Sequence, residues 1–270
     1  SLQDSPSKKL EIQNILNTYL KKENMTLYII GIGLEPKDIS LKAVEALQIS
    51  NEVYLENYTS LLQVSKEKLE KLYNKKIISA DRDLIENKFT EKIIKAKNKN
   101  ISLLIPGDVF SATTHISLFQ EAKKNKVQVE VINNASILTA VGITGLSLYN
   151  FGKIASIPFE NKNVETPVKI LNENLKINAH TLFLLDLNSE KKKYLSIQEA
   201  IEYLLRNKIK KETIAVGCAR LGCDDYKIKS GTLEVLKNFD FGKPPYCLII
   251  PAKKLHFIEE EMLALWDNKV

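Results

Sequence analysis

The sequence is poor in the residues that support several common kinds of chemistry. Its 270 residues include only three cysteines, three histidines, two methionines and one tryptophan. The cysteines, Cys218, Cys223 and Cys247, are too few for the disulfide framework of a small secreted protein. They also show no zinc-ligand spacing with the few histidines. We therefore expect small buried thiols in a reducing, cytoplasmic setting, and no metal site.

Long apolar runs are missing as well. No stretch approaches the ~18–20 apolar residues that a membrane-spanning helix needs, and no signal peptide is visible. Lys+Arg number 39 against 33 Asp+Glu, which gives a net charge of +6, but the excess is lysine scattered along the chain. Nucleic-acid binders more often concentrate arginine on one element. We expect neither a membrane nor a nucleic acid as a partner, whereas a mildly basic face would suit an acidic protein.

From residue 26 onward, short apolar runs alternate with amphipathic stretches. The runs, rich in Leu, Ile and Val, predict buried strands at 26–33, 53–56, 76–79, 101–108, 127–132, 153–159, 180–187, 213–220 and 246–251. Strand–helix alternation of this kind is typical of an α/β protein with a mostly parallel open sheet. The pattern predicts α/β domains at 25–132 and 133–270. The polar, lysine-rich residues 1–24 are interpreted as an extension outside the core fold.

The first strand ends in glycines that suit a ligand site. Gly31 and Gly33 let the backbone bend and let a ligand approach, although an ordinary tight turn explains them equally well. In open α/β sheets, ligands sit at the carboxyl ends of strands. However, Pro36 stands where a dinucleotide fingerprint would have its third glycine, and no P-loop pattern is present. Nicotinamide-dependent and NTP-binding enzymes are therefore disfavoured.

A second strand end, IPGDVFSATTH at 105–115, is more informative. Asp108 follows a buried strand and can accept hydrogen bonds from the hydroxyl or amino groups of a ligand. Alternatively, it caps the helix predicted at 112–125. Ser111 adds a hydroxyl nearby, and His115 could serve as a base, although packing is the commoner role of a lone histidine. Asp108 and His115 are thus weak candidates for catalytic residues.

Small residues are concentrated at 133–152, where glycines interrupt a helix predicted at 136–148. Close approach to a flat ligand and helix-to-sheet packing explain this composition equally well. The sequence shows no nucleophile elbow, HExxH motif or interpretable His/Asp pair, which disfavours covalent and metal-assisted catalysis. Methyl transfer from a sulfonium donor is compatible with that absence. Such a donor is already activated, so the protein need mainly align the reactants and exclude water.

Several longer motifs together resemble the diphthine synthase family. They are LYIIGIGL at 27–34, KDIS at 37–40, VYLENYTS at 53–60, PGD at 106–108 with SATTH at 111–115, SILTAVGITGLSLYNFGK at 136–153, HTLFLLDL at 180–187 and GKPPYCLIIPAKKLHFIEEEML at 242–263. The resemblance implies the tetrapyrrole-methylase-like fold. That fold has two α/β domains, the first with a mostly parallel open sheet and the second with a mixed sheet. It also implies a ligand cleft between the domains, usually in a homodimer.

The resemblance further implies a donor site and a reaction. Carried over residue by residue, the positions expected to bind S-adenosyl-L-methionine are Leu34, Asp108, Ser111, Ser136, Ile137, Leu185, Leu221 and Tyr246. The implied reaction is repeated methylation of the amino group of the 3-amino-3-carboxypropyl-histidine of translation elongation factor 2. It yields diphthine and S-adenosyl-L-homocysteine. The sequence does not decide whether the carboxylate is esterified too.

Two other functions remain open at this point. A corrin or sirohaem-type methylase of the same fold would accept a flat tetrapyrrole in place of a protein. A non-catalytic module would keep the fold and bind the elongation factor without methylating it. The intact PGD and SIL segments argue against this second alternative, because such a module would not need a donor site.

Overall fold

The computed structural model describes residues 25–58, 60–62, 64–95, 99–189 and 191–267. The predicted extension at 1–24 therefore lies outside the described residues. The chain divides into two compact units. The first contains the described residues up to Asn57 together with Leu62–Asn134, and the second contains Tyr58–Leu61 together with the described residues from Ala135 onward.

The first unit is built on a sheet of five parallel strands. Strands β1 to β5 are Thr26–Gly31, Glu52–Glu56, Ile78–Ala80, Ile101–Ile105 and Gln128–Ile132. They lie in the order β3-β2-β4-β1-β5, and every adjacent pair is parallel. Strands β1 and β4 are buried along their whole length, which explains their continuously apolar sequences. Because all five strands are parallel, their carboxyl ends meet at one edge of the sheet.

In the described part of this unit, four α-helices accompany the sheet, together with the 3-10 helix Pro36–Asp38 and the π-helix Leu84–Lys88. Helices α1 to α4 are Leu41–Ile49, Lys66–Tyr73, Phe89–Lys95 and Ile116–Lys124. Ser40 caps α1, since its hydroxyl oxygen accepts the N–H of Ala43 at 3.2 Å. Asp38 lies upstream of this helix, in the 3-10 turn Pro36–Asp38. Its carboxylate accepts backbone N–H groups of the same loop and not those of α1.

The second unit is built on a mixed sheet. Strands β6 to β12 are Ala155–Ile157, Thr181–Leu185, Leu187–Asn188, Lys193–Tyr194, Ile214–Ala219, Lys227–Thr232 and Tyr246–Ile250. Five of them form a sheet in the order β11-β10-β12-β7-β6, and β8 pairs with β9. In the five-stranded sheet only β6 and β7 are parallel. The predicted α/β class, with one parallel and one mixed sheet, is confirmed.

Helices cover both faces of the mixed sheet. Helices α5 to α9 are Ile137–Ala140, Thr166–Lys176, Ile197–Arg206, Leu233–Lys237 and Phe257–Asp267. One face is buried under α6, α7 and α8, and the other under α5 and α9. The helix predicted at 136–148 ends at Ala140 and continues as 3-10 turns. Gly145 has a φ of +86°, and a Cβ there would lie 2.3 Å from the Cβ of Met262 in α9, so a larger residue does not fit at this turn.

All three cysteines lie within the described residues and are buried, as the sequence predicts, and none of them forms a disulfide there. None of the helices in the described ranges is long and apolar enough to cross a membrane. The described residues also contain no group of three or more His, Cys, Asp or Glu side chains that could hold a metal ion.

Candidate functional site

Two glycine loops pack against each other at the carboxyl edge of the first sheet. Gly33 and Gly107 exchange backbone hydrogen bonds of 3.1 and 2.7 Å. A Cβ on Gly31 would lie 2.7 Å from the carbonyl oxygen of Gly107. Gly33 has a φ of +78°, and a Cβ there would lie 2.3 Å from the Cβ of Asp38. Packing between the two loops therefore explains Gly31, and the conformation of its own turn explains Gly33.

The carboxylate of Asp108 accepts hydrogen bonds from several residues at this edge of the sheet. One carboxylate oxygen accepts the N–H of Asn134 at 3.0 Å. The other accepts the N–H of Phe110 at 3.2 Å and the hydroxyl of Ser111 at 3.1 Å. A carboxylate has about four lone-pair positions, so one acceptor position remains for a ligand. Helix α4 begins only at Ile116, so Asp108 caps the turn that follows β4, not the helix itself.

Asn134 ties the end of β5 to the loop that follows β1. Its side-chain amide donates to the carbonyl oxygens of Gly31 at 3.1 Å and of Asp38 at 2.9 Å. Its backbone N–H donates to Asp108. The composition of residues 133–152 does not single out this residue. The signal that could have identified it is an amide side chain directly after a strand whose neighbours end in ligand-type residues.

The turn that carries Leu34 is held by Asp38 and Tyr73. One carboxylate oxygen of Asp38 accepts the N–H groups of both Leu34 and Glu35 at 2.9 Å. The hydroxyl of Tyr73 donates to the carbonyl oxygen of Pro36 at 3.0 Å. Burial raises the pKa of Tyr73 to about 12, and the negative charge of Asp38 adds to the shift. Tyr73 therefore remains protonated at neutral pH and keeps donating this hydrogen bond.

His115 occupies the position just before α4. Its side chain is buried, with 2% of the residue exposed. Burial lowers the pKa of this imidazole to about 4. At neutral pH the ring is therefore uncharged, and a group with that pKa is a weak proton acceptor.

A further carboxylate at this edge was missed by the sequence analysis. Glu56 is the last residue of β2 and is 1% exposed. Buried carboxylates are uncommon, because removing the charge from water is costly unless hydrogen bonds compensate. The available signal was an acidic residue directly after the apolar run at 53–55.

In the second unit, three of the predicted donor-binding residues meet at one edge of the mixed sheet. Leu185 ends β7, Leu221 lies just after the end of β10, and Tyr246 begins β12. They come together because β12 runs antiparallel to both other strands. The N–H of Arg220 also donates to the carbonyl oxygen of Pro245 at 2.9 Å, which joins the last two segments.

The remaining two predicted residues of the second unit lie at the start of α5. Ser136 is buried, and its hydroxyl oxygen caps the helix by accepting the N–H of Leu138 at 3.2 Å. Ile137 packs against the same apolar cluster that contains Leu221. The start of α5 thus contributes one local cap and one apolar contact.

Comparisons with known proteins give one consistent result. The sequence pattern of the tetrapyrrole (corrin/porphyrin) methylases matches residues 26–237. The chain is 43% identical to the diphthine synthase of Archaeoglobus fulgidus, with 88% of this chain and 94% of that protein covered. It is 38% identical to the diphthine methyl ester synthase of Saccharomyces cerevisiae, with 90% of each covered. A solved structure of a diphthine synthase matches with a TM-score of 0.84 at 39% identity, covering 90% of this chain and 96% of that one.

Proposed function

The chain is a methyltransferase that belongs to the tetrapyrrole methylase family and, within it, to the diphthine synthases, and from that premise we propose which donor and acceptor it uses. The donor is S-adenosyl-L-methionine. The acceptor is the amino group of the 3-amino-3-carboxypropyl-histidine of translation elongation factor 2. Similarity to diphthine synthases along about nine-tenths of the chain is the observation that carries this proposal.

The donor-binding residues are proposed from their places at the two sheet edges. In the first unit they are Leu34, Asp108 and Ser111. In the second unit they are Ser136, Ile137, Leu185, Leu221 and Tyr246. A cationic donor with amino and hydroxyl groups is compatible with the acceptor position left on Asp108, which already takes three hydrogen bonds.

The chain's own residues bind and orient the reactants. When bound, the donor supplies a methyl group already activated for attack by an amine. Asp108 and the turn at Leu34 are fixed by hydrogen bonds before a ligand arrives, so little ordering remains to be done on binding. The apolar side chains of Ile137, Leu185 and Leu221 keep water from the second-unit contacts. Holding the amine in line with the methyl group then provides the main acceleration.

Each round of methylation needs an uncharged amine, so a proton must leave. We assign the proton to water and not to a protein base. Three hydrogen bonds occupy Asp108, and burial lowers the pKa of His115 to about 4. If Asp108→Asn or His115→Ala abolished turnover while donor affinity stayed normal, this assignment would be wrong.

The test combines donor binding with methyl transfer. Calorimetry with S-adenosyl-L-methionine measures donor affinity, and transfer of isotope-labelled methyl groups is measured with elongation factor 2 that carries the unmethylated precursor. Elongation factor 2 with an unmodified histidine is the control acceptor. Labelling of the precursor form alone is the expected result. Labelling of a tetrapyrrole with none of the elongation factor would indicate a corrin-type methylase, and no donor affinity at all would indicate a non-catalytic module.

The oligomeric state and the cellular compartment of the enzyme are two further points. We propose that the enzyme acts as a homodimer in the cytoplasm, where its acceptor protein is found. Light scattering coupled to size-exclusion chromatography checks the dimer, and fractionation of cells checks the compartment. A monomeric mass across the working concentration range would contradict the first statement.

A further inference from the structure

We propose that Asn134 is a positioning residue for the methyl donor: it fixes the turn that carries Leu34 relative to Asp108. The inference rests on the proposed donor binding by those two residues. Asn134 itself is assigned no contact with the donor.

The geometry behind this inference is a set of three hydrogen bonds from one residue. The backbone N–H of Asn134 donates to Asp108 at 3.0 Å. Its side-chain amide donates to the carbonyl oxygen of Gly31 at 3.1 Å and to that of Asp38 at 2.9 Å. Gly31 ends β1, and Asp38 ends the turn that follows it. One residue thus joins the end of β5, the end of β1 and the acidic residue after β4.

The contact to Asp38 extends the effect to Leu34. The carboxylate of Asp38 accepts the N–H of Leu34 at 2.9 Å. The backbone carbonyl of the same Asp38 is held by Asn134. Asn134 and Leu34 are therefore connected through one intervening residue. Loss of the amide would release Asp38 and let the Leu34 turn shift, while β1 and β5 would stay paired through their own backbone hydrogen bonds.

The residue type suits this role. Both acceptors are carbonyl oxygens, so the bridging group must supply two N–H donors from one short side chain, as asparagine does. Aspartate has the same size but offers no donor when ionised. Alanine removes both donors from the carbonyl oxygens of buried Gly31 and exposed Asp38. The backbone contact to Asp108 survives either change.

A second asparagine provides a matched control. Asn174 in α6 donates to the carbonyl oxygen of Lys153 at 2.8 Å and to the hydroxyl of Thr181 at 2.9 Å. It therefore also joins separate segments through its amide. Thr181 begins β7, whereas the proposed donor contact Leu185 ends it. Asn174→Ala should thus lower stability without changing donor affinity.

The experiment compares the wild-type protein, Asn134→Ala and Asn174→Ala. Calorimetry gives the Kd for S-adenosyl-L-methionine, and steady-state kinetics with elongation factor 2 gives KM for each substrate and kcat. For Asn134→Ala we expect the donor Kd and donor KM to rise about tenfold, which is about 1.4 kcal/mol, since donor binding must then order the released Leu34 turn. We expect kcat at saturating donor, and KM for the protein substrate, to change by less than about twofold. The reason is that the change weakens donor binding equally in the ground state and in the transition state. Asn174→Ala should keep the wild-type donor Kd.

The outcomes separate this inference from the proposed function. Absence of donor binding by the wild-type protein would refute the proposed function itself. Wild-type binding together with an unchanged donor Kd in Asn134→Ala would overturn the positioning role. An equal rise in Kd in Asn174→Ala would also overturn it, because general loosening would then be the cause. If Asn134→Ala does not fold, Asn134→Ser replaces it, with the same two criteria on donor Kd.

Discussion

We predict that the buried histidine before α4 makes the stability of the protein sensitive to acid. His115 is 2% exposed, and burial lowers its pKa from 6.5 to about 4. The unfolded chain therefore binds a proton at this residue at a higher pH than the folded protein does. Stability from the neutral ring is fully present above pH 6.5 and is lost as the pH falls from 6.5 toward 4. Over that whole interval the loss is about 3 kcal/mol, and about 2 kcal/mol of it has occurred by pH 5.

The assay is urea unfolding of the wild-type protein and His115→Gln at pH 7.5 and pH 5. The variant has its own cost at both pH values, from altered packing, so the comparison uses the change between the two. We expect the wild-type protein to lose about 2 kcal/mol more than His115→Gln on going to pH 5. His180, whose pKa is also lowered by burial, titrates in both proteins and cancels in the difference.

Two results complete this test. Equal acid losses in the wild-type protein and His115→Gln would refute the reasoning, since the buried ring would then not be the group that titrates. His115→Gln should also retain methyl transfer, because we assign no catalytic step to the imidazole.

Three further predictions concern the site and its support. Asp108→Asn should weaken donor binding at least tenfold in calorimetry and lower the free energy of unfolding by about 1–3 kcal/mol, because an amide nitrogen cannot accept the hydrogen bonds that the carboxylate takes. Unchanged donor affinity would contradict the place of Asp108 in the site. Gly31→Ala should destabilise the protein by about 1–3 kcal/mol in urea unfolding, since the new Cβ would meet the backbone of Gly107. Gly142→Ala, whose nearest contact would be at 3.5 Å, should change stability by less than about 1 kcal/mol. Equal effects of the two changes would contradict the loop-packing argument. Glu259→Ala should lower the free energy of unfolding by about 3–5 kcal/mol, because this buried carboxylate accepts four hydrogen bonds. Glu260→Ala, which changes an exposed residue, should alter it by less than about 0.5 kcal/mol. A small loss in Glu259→Ala would show that other contacts hold α9.

The strands could be predicted from sequence because their apolar runs are continuous and local. TLYIIG in β1 and ISLLI in β4 are buried at every residue, so composition alone identifies them. Helix ends were predicted less well. Helix α4 begins at Ile116 and not at 112, since Ala112 has a φ of +59°, a left-handed conformation that no pattern of apolar residues reveals.

The residues of the candidate site also differ in whether the sequence could predict them. Asp108 and Ser111 could be singled out because they follow a buried strand within a few residues of each other. Asn134 could not, because its acceptor in Gly31 is 103 positions away in the chain. Leu221 and Tyr246 were expected from family resemblance, and the structure explains their proximity through the antiparallel pairing of β10 and β12. Such pairings are set by tertiary structure, which a single sequence does not display.

The central claim is that this chain methylates one modified histidine of elongation factor 2. The most direct measurement is peptide mass spectrometry of elongation factor 2 that carries the unmethylated precursor, after incubation with the protein and S-adenosyl-L-methionine. We predict whole-number additions of methyl groups, all on the peptide with the modified histidine, and the fragment masses also distinguish amine from carboxylate methylation. An unchanged peptide, obtained with protein that binds the donor, would contradict the account.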